Sequence, residues 1–326
     1  MKFTTRHYHE RGLTLLELLV VLTILAVLST VAITSSSGVA DQARYEATQR
    51  TLENIHDAVL GPVNQRDADG TGVITGFLAD MGRLPQATAE TLDDGSTVFT
   101  LKELWTNVNG LPPHSVVQAV GSNVNDASLA DSNVYITAGW RGPYLNLSAG
   151  NTLLRDGWGA ILASPNGTVA SVPYALLMTS DGSAISAAGQ AIGQVNSFGA
   201  NGKQNSADTG YNTDFSVSFS SQSSATVAVT VNIFKSNGDP AVTVPADEIS
   251  VRLFGTNPAT GLILVTNQTQ SFASNTLSFA ALPATTPGQR VLRAYYSGSI
   301  TTSSAVTPVM LRAGGNIHTL ILTLPP

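Results

Sequence analysis

The side chains best suited to hold a metal ion lie in one segment of the chain, between positions 201 and 214. The candidate ligands are two carboxylates and two of the amides in this segment: Asn201, Asp208, Asn212 and Asp214. Calcium takes roughly six to eight oxygen ligands from carboxylates, amides and backbone carbonyls, so this segment is a candidate structural calcium site. Asn and Asp also bond to their own backbone in turns, and an ordinary turn region rich in these residues is the alternative interpretation.

Other residues that could bind a metal or catalyse a reaction form weaker patterns. Residues 65–70 imitate half of an EF-hand calcium loop, but the first acidic ligand is missing and Gly76 stands where the closing glutamate belongs. The chain contains no nucleophile-elbow, zinc-protease or phosphate-loop motif. His114 and His318 are isolated in sequence, as surface or capping histidines usually are. We therefore predict that the protein is not an enzyme.

Composition and charge narrow the class of protein. The 326 residues include no cysteine, which excludes a disulfide framework, a zinc–thiolate centre, an iron–sulfur cluster and a thiol nucleophile. Only 12% of the residues are charged, about half of the roughly 25% usual in soluble domains. Ser, Thr, Asn, Gly and Ala take their place, a mix expected of strand-rich proteins outside the cytoplasm. The formal net charge of −6, without a dense run of Lys or Arg, argues against a nucleic-acid partner.

The sharpest change in composition comes near the N-terminus. Residues 1–12 carry three basic side chains and one acidic side chain, whereas residues 13–33 carry a single charge, that of Glu17. A helix over residues 13–33 is about 31 Å long, which matches a hydrocarbon core of roughly 30 Å. We predict that residues 13–33 cross a membrane once, with the basic N-terminus in the cytoplasm.

Two other interpretations of this apolar segment remain open at this point. A secretory signal peptide has a shorter apolar run and a small-x-small cleavage site, which residues 29–32 match poorly. A plain membrane anchor fits the length but leaves Glu17 unexplained. A carboxylate in an apolar helix costs a few kcal/mol and usually has a functional partner, although a charge near a helix end can also reach the membrane surface.

Gly12, Leu13 and Glu17, followed by a long apolar run, resemble the type IV prepilin signal, which type IV pilins and type II secretion pseudopilins share. The resemblance implies that a prepilin peptidase cleaves the chain between Gly12 and Leu13. The same enzyme then methylates the new N-terminal amine. Leu13 stands where the family most often has phenylalanine.

The resemblance also implies a role for Glu17 in assembly. The freed amine of Leu13 and the carboxylate of Glu17 are opposite charges in an apolar environment, and one straight helix does not satisfy both. Pairing between neighbouring subunits gives each charge a partner, and breaking a buried pair costs about 3–5 kcal/mol. We therefore expect Glu17 to fix the register in which subunits pack into a filament.

The apolar segment continues into an amphipathic helix. Leu52, Ile55 and Val59 recur at helical spacing, and Gly61-Pro62 provides a stop signal. We predict a leader at 1–12 and a spine helix at 13–61, which is about 72 Å long from Leu13 to Leu60. Residues 62–214, rich in Gly, Asn, Asp and Pro, predict a loop-rich α+β head.

Four fragments of the head resemble the major pseudopilin of type II secretion in the same order. They are Asp80–Pro85 followed by Leu101–Trp105, Gly142–Leu145, Asp156–Gly159 and the segment from Ser197 to Gly202 with Asp208, Gly210, Asn212 and Asp214. The last fragment resembles the calcium loop of that family, and so implies a structural calcium ion. Asn201 replaces an aspartate of the family pattern, and residues 174–182 compete for the same alignment with better spacing.

The final segment, 215–326, has a strand-rich composition with short β-branched runs. Seven strands are predicted: Phe215–Phe219, Ala225–Phe234, Ile249–Phe254, Leu262–Asn267, Thr276–Ala280, Arg290–Ser297 and His318–Leu324. This number in about 110 residues favours an immunoglobulin-like or related β-sandwich. Such a sandwich is either a spacer on the filament surface or a module that binds a ligand.

The predicted fold class is therefore α+β, with a pilin-like N-terminal helix, a loop-rich head and a C-terminal all-β sandwich. The resemblance implies these partners: a prepilin peptidase and N-methyltransferase, other pilin or pseudopilin subunits, an inner-membrane platform protein and an assembly ATPase. It places the precursor in the bacterial inner membrane, with the head in the periplasm and later in an envelope or surface filament. The alternative function is that of a minor or tip pilin, an adhesin or substrate-binding protein acting through the sandwich.

Overall fold

The computed structural model describes residues 15–62, 64–66, 74–108, 110–120, 131–147, 150–165, 174–205, 207–219, 222–240, 248–271, 274–296 and 299–324. Gly12 and Leu13 lie outside the described residues. The chain forms a long N-terminal helix followed by many mostly antiparallel strands in several sheets. The prediction of an α+β protein with a β-rich C-terminal region is confirmed.

The long helix α1 comprises Leu15–Leu60, 46 residues, and is about 69 Å long. Its second half is amphipathic, and Leu52, Ile55 and Val59 are buried against the head. The helix ends at Leu60 because Gly61 adopts a φ of +93°, while its N–H donates to the carbonyl of Asp57 at 2.8 Å.

The head contains short elements. They are α2 (Phe77–Met81), two 3-10 helices (Lys102–Leu104 and Gly210–Asn212), β1 (Thr88–Thr91), β2 (Thr97–Thr100), β3 (Ser115–Ala119), β4 (Asp131–Ala138), β5 (Ile161–Leu162), β6 (Ser164–Pro165), β7 (Tyr174–Ala175), β8 (Leu177–Met178), β9 (Gln194–Ser197) and β10 (Phe215–Ser218). Strands β1, β2 and β6 form one sheet and β8, β9 and β10 a second, while β3–β4 and β5–β7 are pairs. The strand that begins at Phe215, predicted as the first of the C-terminal region, thus joins the head by pairing with β9.

The C-terminal region contains eight described strands. They are β11 (Ala225–Lys235), β12 (Glu248–Thr256), β13 (Ile263–Ser271), β14 (Thr276–Thr285), β15 (Gly288–Tyr296), β16 (Ser299–Ser303), β17 (Thr307–Leu311) and β18 (Gly314–Leu324). One sheet has the order β14-β11-β18, and the other has the order β13-β12-β15 with β16 and β17 both paired to β15. Alternate residues of β11 are buried, and their side chains share one core with residues of both sheets.

The strand order differs from that of an immunoglobulin domain. In the immunoglobulin arrangement the first strand lies beside the second. Here the first strand, β11, lies between β14 and the last strand, β18, which runs parallel to it. Alternating apolar residues predict that a strand has one buried face, but they do not predict which strand lies next to it.

The β3–β4 hairpin of the head lies on the outer face of the sheet formed by β12, β13 and β15. Val134 and Ile136 of the hairpin are buried together with Phe254, Ile263 and Val291 of that sheet. The head and the C-terminal region are thus joined by a shared apolar core.

Candidate functional site

The first half of α1 exposes its apolar side chains on every side. All large apolar residues from Leu15 to Val31 are exposed, from 83% for Leu15 to 44% for Val20. Glu17 lies in the first turn, where the positive end of the helix dipole favours a carboxylate. An exposed apolar surface of this extent is typical of a segment that binds another protein or lipid. Judged on the described residues alone, no helix combines the length and the hydropathy needed to cross a membrane.

The second half of α1 is held by the turn at Asp156–Gly159. The backbone N–H of Gly157 donates to the hydroxyl of Thr48 at 3.0 Å. A Cβ atom on Gly157 would lie 2.0 Å from the carbonyl oxygen of Arg44. Only glycine therefore allows this turn to approach the helix so closely.

Aromatic side chains hold the same stretch of helix on a neighbouring face. Tyr45 of α1 contacts Phe215 and Tyr211 edge to face, with ring centroids 4.8 and 6.0 Å apart. The Tyr211 hydroxyl donates to the carbonyl of Gly38 at 3.4 Å. Tyr211 belongs to the segment proposed to bind calcium, so the order of that segment bears directly on the position of α1.

Asp156 connects the helix-binding turn to Ser197 at the end of β9. Its Oδ1 accepts hydrogen bonds from the backbone N–H groups of Trp158 and Ala160, at 3.0 and 2.8 Å. Its Oδ2 accepts one from the hydroxyl of Ser197 at 2.6 Å. The carboxylate is buried, and the three donors satisfy it, so Asp156 has a structural role.

Between positions 201 and 214 the structure brings three of the four predicted residues into one network. Nδ2 of Asn201 donates to Oδ2 of Asp208 at 2.5 Å, and Nδ2 of Asn205 donates to Oδ1 of Asp208 at 2.8 Å. The backbone N–H of Asn205 donates to Oδ2 of Asp214 at 2.9 Å. Asn212 lies in an exposed 3-10 turn, and no hydrogen bond among the described residues joins its side chain to the network.

Asn205 was not among the residues predicted from sequence. Its side-chain oxygen accepts the backbone N–H of Ala207 at 3.1 Å, and its carbonyl accepts that of Asp208 at 3.1 Å. This is the turn chemistry by which Asn commonly folds its own backbone. The sequence feature that could have identified Asn205 is its position three residues before Asp208.

The two carboxylates of this network suit a hard cation better than the amides do. Asp208 and Asp214 line one cavity of about 430 Å³. Oδ1 of Asp214 is buried and has no hydrogen-bond partner among the described residues, and a cation would satisfy it. Asn201 and Asn205, however, present NH₂ groups to Asp208, and the described residues contain no cluster of three acidic or histidine side chains. A cation would therefore require both amides to rotate or to be replaced by backbone oxygens.

The residues of the Asp80–Pro85 fragment stabilise the fold of the head. Arg83 forms two parallel hydrogen bonds to Glu103, from Nη1 at 2.7 Å and from Nη2 at 2.8 Å. Glu103 also accepts the backbone N–H of Gln86 at 2.7 Å, and its own carbonyl accepts Nε1 of Trp140 at 2.8 Å. A buried carboxylate thus joins the two parts of the first fragment, Asp80–Pro85 and Leu101–Trp105.

A second buried carboxylate, Asp80, lies beside the second fragment, Gly142–Leu145. Nε of Arg141 lies 2.9 Å from its Oδ2, and the hydroxyl of Tyr144 donates to the same atom at 2.9 Å. Burial raises the pKa of Asp80, while the charge of Arg141 acts in the opposite direction. His114, predicted to be a surface or capping residue, is partly buried with Nε2 3.7 Å from this carboxylate.

The charged residues that join the head to the C-terminal region were not predicted from sequence. Arg290 of β15 is 1% exposed, and its Nη1 donates to the carbonyl of Ala79 in α2 at 3.2 Å. Burial lowers the pKa of Arg290 to about 10. Arg293 of the same strand pairs with Asp131 of β4. No local pattern marks these residues, because their partners lie far away in the sequence.

The N-terminal segment matches a known family model. Residues 8–33, which include Gly12, Leu13 and Glu17, match the prokaryotic N-terminal methylation motif. No curated protein and no solved structure matches the chain. The motif supports a type IV pilin-like precursor with a pilin-type hydrophobic anchor at its N-terminus.

Proposed function

We propose that this chain is a structural subunit of a type IV pilus-like or type II secretion pseudopilus filament. The observation that carries the proposal is that the N-terminal methylation motif coincides with a half-helix whose apolar side chains are exposed on all sides. In the precursor, residues 13–33 hold the chain in the inner membrane of a bacterium. In the filament, the same surface packs against the α1 helices of neighbouring subunits.

The proposed sequence of events follows from the N-terminal residues. A prepilin peptidase on the cytoplasmic side cleaves after Gly12 and methylates the amine of Leu13. Glu17 then pairs with that amine in a neighbouring subunit, while a platform protein and an assembly ATPase extract the chain from the membrane. The head and the C-terminal region remain outside the apolar layer throughout.

The first test is processing. We expect intact mass and N-terminal sequencing to find a chain that starts at methylated Leu13 only when a prepilin peptidase is co-expressed. A Gly12→Ala variant made beside it should keep Met1, because the residue before the cleaved bond is changed. A chain that keeps Met1 with active peptidase, or is cut beyond Ile33, contradicts the proposal.

The second test separates membrane insertion from assembly. Glu17→Ala should abolish filaments while the chain stays in the membrane fraction, because the apolar segment is unchanged and only the pairing charge is lost. Glu53→Ala, which removes an exposed acidic residue from the same helix, is the matched control and should assemble normally. Normal filaments from Glu17→Ala would show that Glu17 is not required for assembly.

The abundance of the subunit decides its place in the filament. A chain found along the whole fibre by immunogold labelling is a bulk subunit. Labels confined to the ends identify a minor or tip subunit, for which the C-terminal region is the candidate binding module.

We further propose that the 201–214 segment takes up calcium as a structural ion through Asp208 and Asp214. The unpartnered buried oxygen of Asp214 and the shared cavity favour this proposal. A bound cation would offset the repulsion between the two carboxylates and order the segment that carries Tyr211.

Calcium binding is tested by the melting temperature of the full chain in detergent. Millimolar calcium should raise it, and Asp214→Asn should abolish the rise. Asp93→Asn, which changes an exposed aspartate outside the segment, is the control and should respond like the unchanged chain. An equal rise in all three proteins means that calcium acts elsewhere, and no rise in any of them removes the site.

A further inference from the structure

Among the described residues, the last strand, β18, forms an open edge of its sheet. It pairs with β11 over its whole length, from Ala225↔Gly314 to Lys235↔Leu324, and with no other described strand. The N–H of Gly314 donates to the carbonyl of Ser224, which precedes β11. Because backbone groups alternate in direction along a strand, the even-numbered residues face β11 and the odd-numbered residues face the open edge.

No residue of β18 protects this edge from pairing with another strand. Native proteins protect an open edge with charged side chains, proline or a bulge. Residues 314–324 contain no proline and no charged residue, and their register with β11 has no shift. The opposite edge of the same sheet differs, because β14 contains Pro283 and its pairing with β11 has register shifts. An edge strand without charge, proline or a bulge is suited to pairing with an additional strand.

The exposed side chains of β18 are arranged symmetrically about Thr319. Ile317 is 83% exposed and Ile321 is 61% exposed, and both point to the outer face of the sheet. Each lies two residues from Thr319. An antiparallel copy of the strand centred on Thr319 places Ile317 opposite Ile321 of the second copy, and Ile321 opposite Ile317.

We propose that two copies of this protein associate by antiparallel pairing of β18 with β18, centred on Thr319. This register brings the odd-numbered residues of both strands opposite each other, so the N–H and C=O groups at both edges are satisfied. It also buries both isoleucines of each strand in cross-strand pairs. The absence of charged residues in β18 means that no like charges meet across the two-fold axis. The result is one sheet of six strands, continuous across two subunits.

The proposal fixes the distances between identical residues in the dimer. Thr319 lies opposite itself, with Cα atoms about 5.5 Å apart, within the range of roughly 4.4–6.8 Å that a disulfide requires. Two copies of Ile317 are offset by four residues, about 13 Å along the strand, which no disulfide spans. The natural chain has no cysteine, so a disulfide-linked dimer forms only through the cysteine that is introduced.

Cysteine crosslinking of the full chain in detergent tests the register. Oxidation should convert Thr319→Cys mostly to a covalent dimer, with at least tenfold less dimer from Ile317→Cys, although the side chain of Ile317 is 83% exposed. A mixture of Ile317→Cys and Ile321→Cys chains should crosslink to each other. Equal crosslinking of Thr319→Cys and Ile317→Cys, or a monomer in both cases, overturns the proposal.

A proline variant tests the edge itself. The N–H of Thr319 faces outward, so Thr319→Pro removes no hydrogen bond to β11, and edge strands tolerate such a proline. In the mixture of Ile317→Cys and Ile321→Cys chains, Thr319→Pro should abolish crosslinking while the far-ultraviolet circular dichroism stays unchanged. Thr319→Val, which keeps the N–H, should leave crosslinking intact. Crosslinking that survives the proline contradicts edge pairing.

Discussion

Asp131 of the head and Arg293 of the C-terminal region form a buried ion pair across 162 positions of sequence. Nη1 of Arg293 lies 2.7 Å from Oδ1 and 2.6 Å from Oδ2 of the carboxylate. The hydroxyl of Tyr295 donates to the same carboxylate, and Nη2 of Arg293 donates to Ser303 at 2.6 Å. The C-terminal region is thus bound to the head through a buried charge pair as well as an apolar core.

This contact predicts that the two regions unfold together. Asp131→Asn leaves the Arg293 charge buried without its counter-charge, which should lower the free energy of unfolding by about 3–5 kcal/mol. Urea unfolding of the full chain, followed by tryptophan fluorescence and circular dichroism, should show one coincident transition at a lower midpoint. Asp93→Asn, at an exposed site, should leave the midpoint unchanged. Two separate transitions in the unchanged chain would show that the regions fold independently.

The pair formed by Arg83 and Glu103 gives a second prediction. Arg83→Met should destabilise the protein by about 3–5 kcal/mol because it leaves the Glu103 carboxylate buried and without its counter-charge. The double variant Arg83→Met with Glu103→Gln should lose less than the sum of the two single losses. The exposed pair of Arg50 and Glu46, 3.4 Å apart on α1, serves as the control. Breaking that pair should cost about 0.5 kcal/mol or less.

Gly157 gives a third prediction, on the contact between the head and α1. Gly157→Ala should destabilise the protein by at least about 2 kcal/mol, because its Cβ would lie 2.0 Å from a helix carbonyl that cannot move freely. Gly315→Ala is the matched control, since no heavy atom lies within 4 Å of the Cβ at that position. Melting temperatures of the two variants give the comparison. Similar values for both would mean that the turn does not touch α1 in solution.

His318 gives a prediction on pH. Burial lowers the pKa of His318 in the folded chain, and its Nε2 is buried with no hydrogen-bond partner among the described residues. The unfolded chain has the ordinary histidine pKa of about 6.5 and therefore binds the proton more readily. The neutral form of His318 therefore contributes its full share of the free energy of unfolding above pH 6.5. This contribution is lost as the pH falls toward the lower pKa of His318 in the folded chain.

The variant His318→Gln tests whether His318 lowers the stability of the protein as the pH falls. Between pH 7.5 and 5.5, the melting temperature of the unchanged chain should fall more than that of His318→Gln. A pH dependence identical in the unchanged chain and His318→Gln would exclude His318 as its source.

Several features were predictable because they depend on neighbours in the chain. The apolar stretch and the Gly61-Pro62 pair are local signals, and α1 ends at Leu60 as that pair predicts for a helix. The spacing of Leu52, Ile55 and Val59 predicted a buried helix face, and these residues are buried. Short β-branched runs located most C-terminal strands, although β16 and β17 were missed.

Other features were not predictable because their partners are distant. The Phe215 strand has the same alternation whether it pairs with β9 or with a C-terminal strand, so its sheet was misassigned. Of the proposed calcium ligands, the carboxylates of Asp208 and Asp214 do share a cavity. The orientation of the Asn201 amide and the exposed position of Asn212 depend on how the segment folds against α1.

Local sequence accounts for the prokaryotic N-terminal methylation motif, the long helix and the β-rich C-terminal region. Each of these rests on hydropathy, spacing or a short motif, which are properties of adjacent residues. In contrast, the contacts of Gly157 with Arg44 and of Asp131 with Arg293 arise from the folding of distant segments against each other. A buried charge is stable only beside its counter-charge, and the topology of the chain alone determines which two distant residues meet.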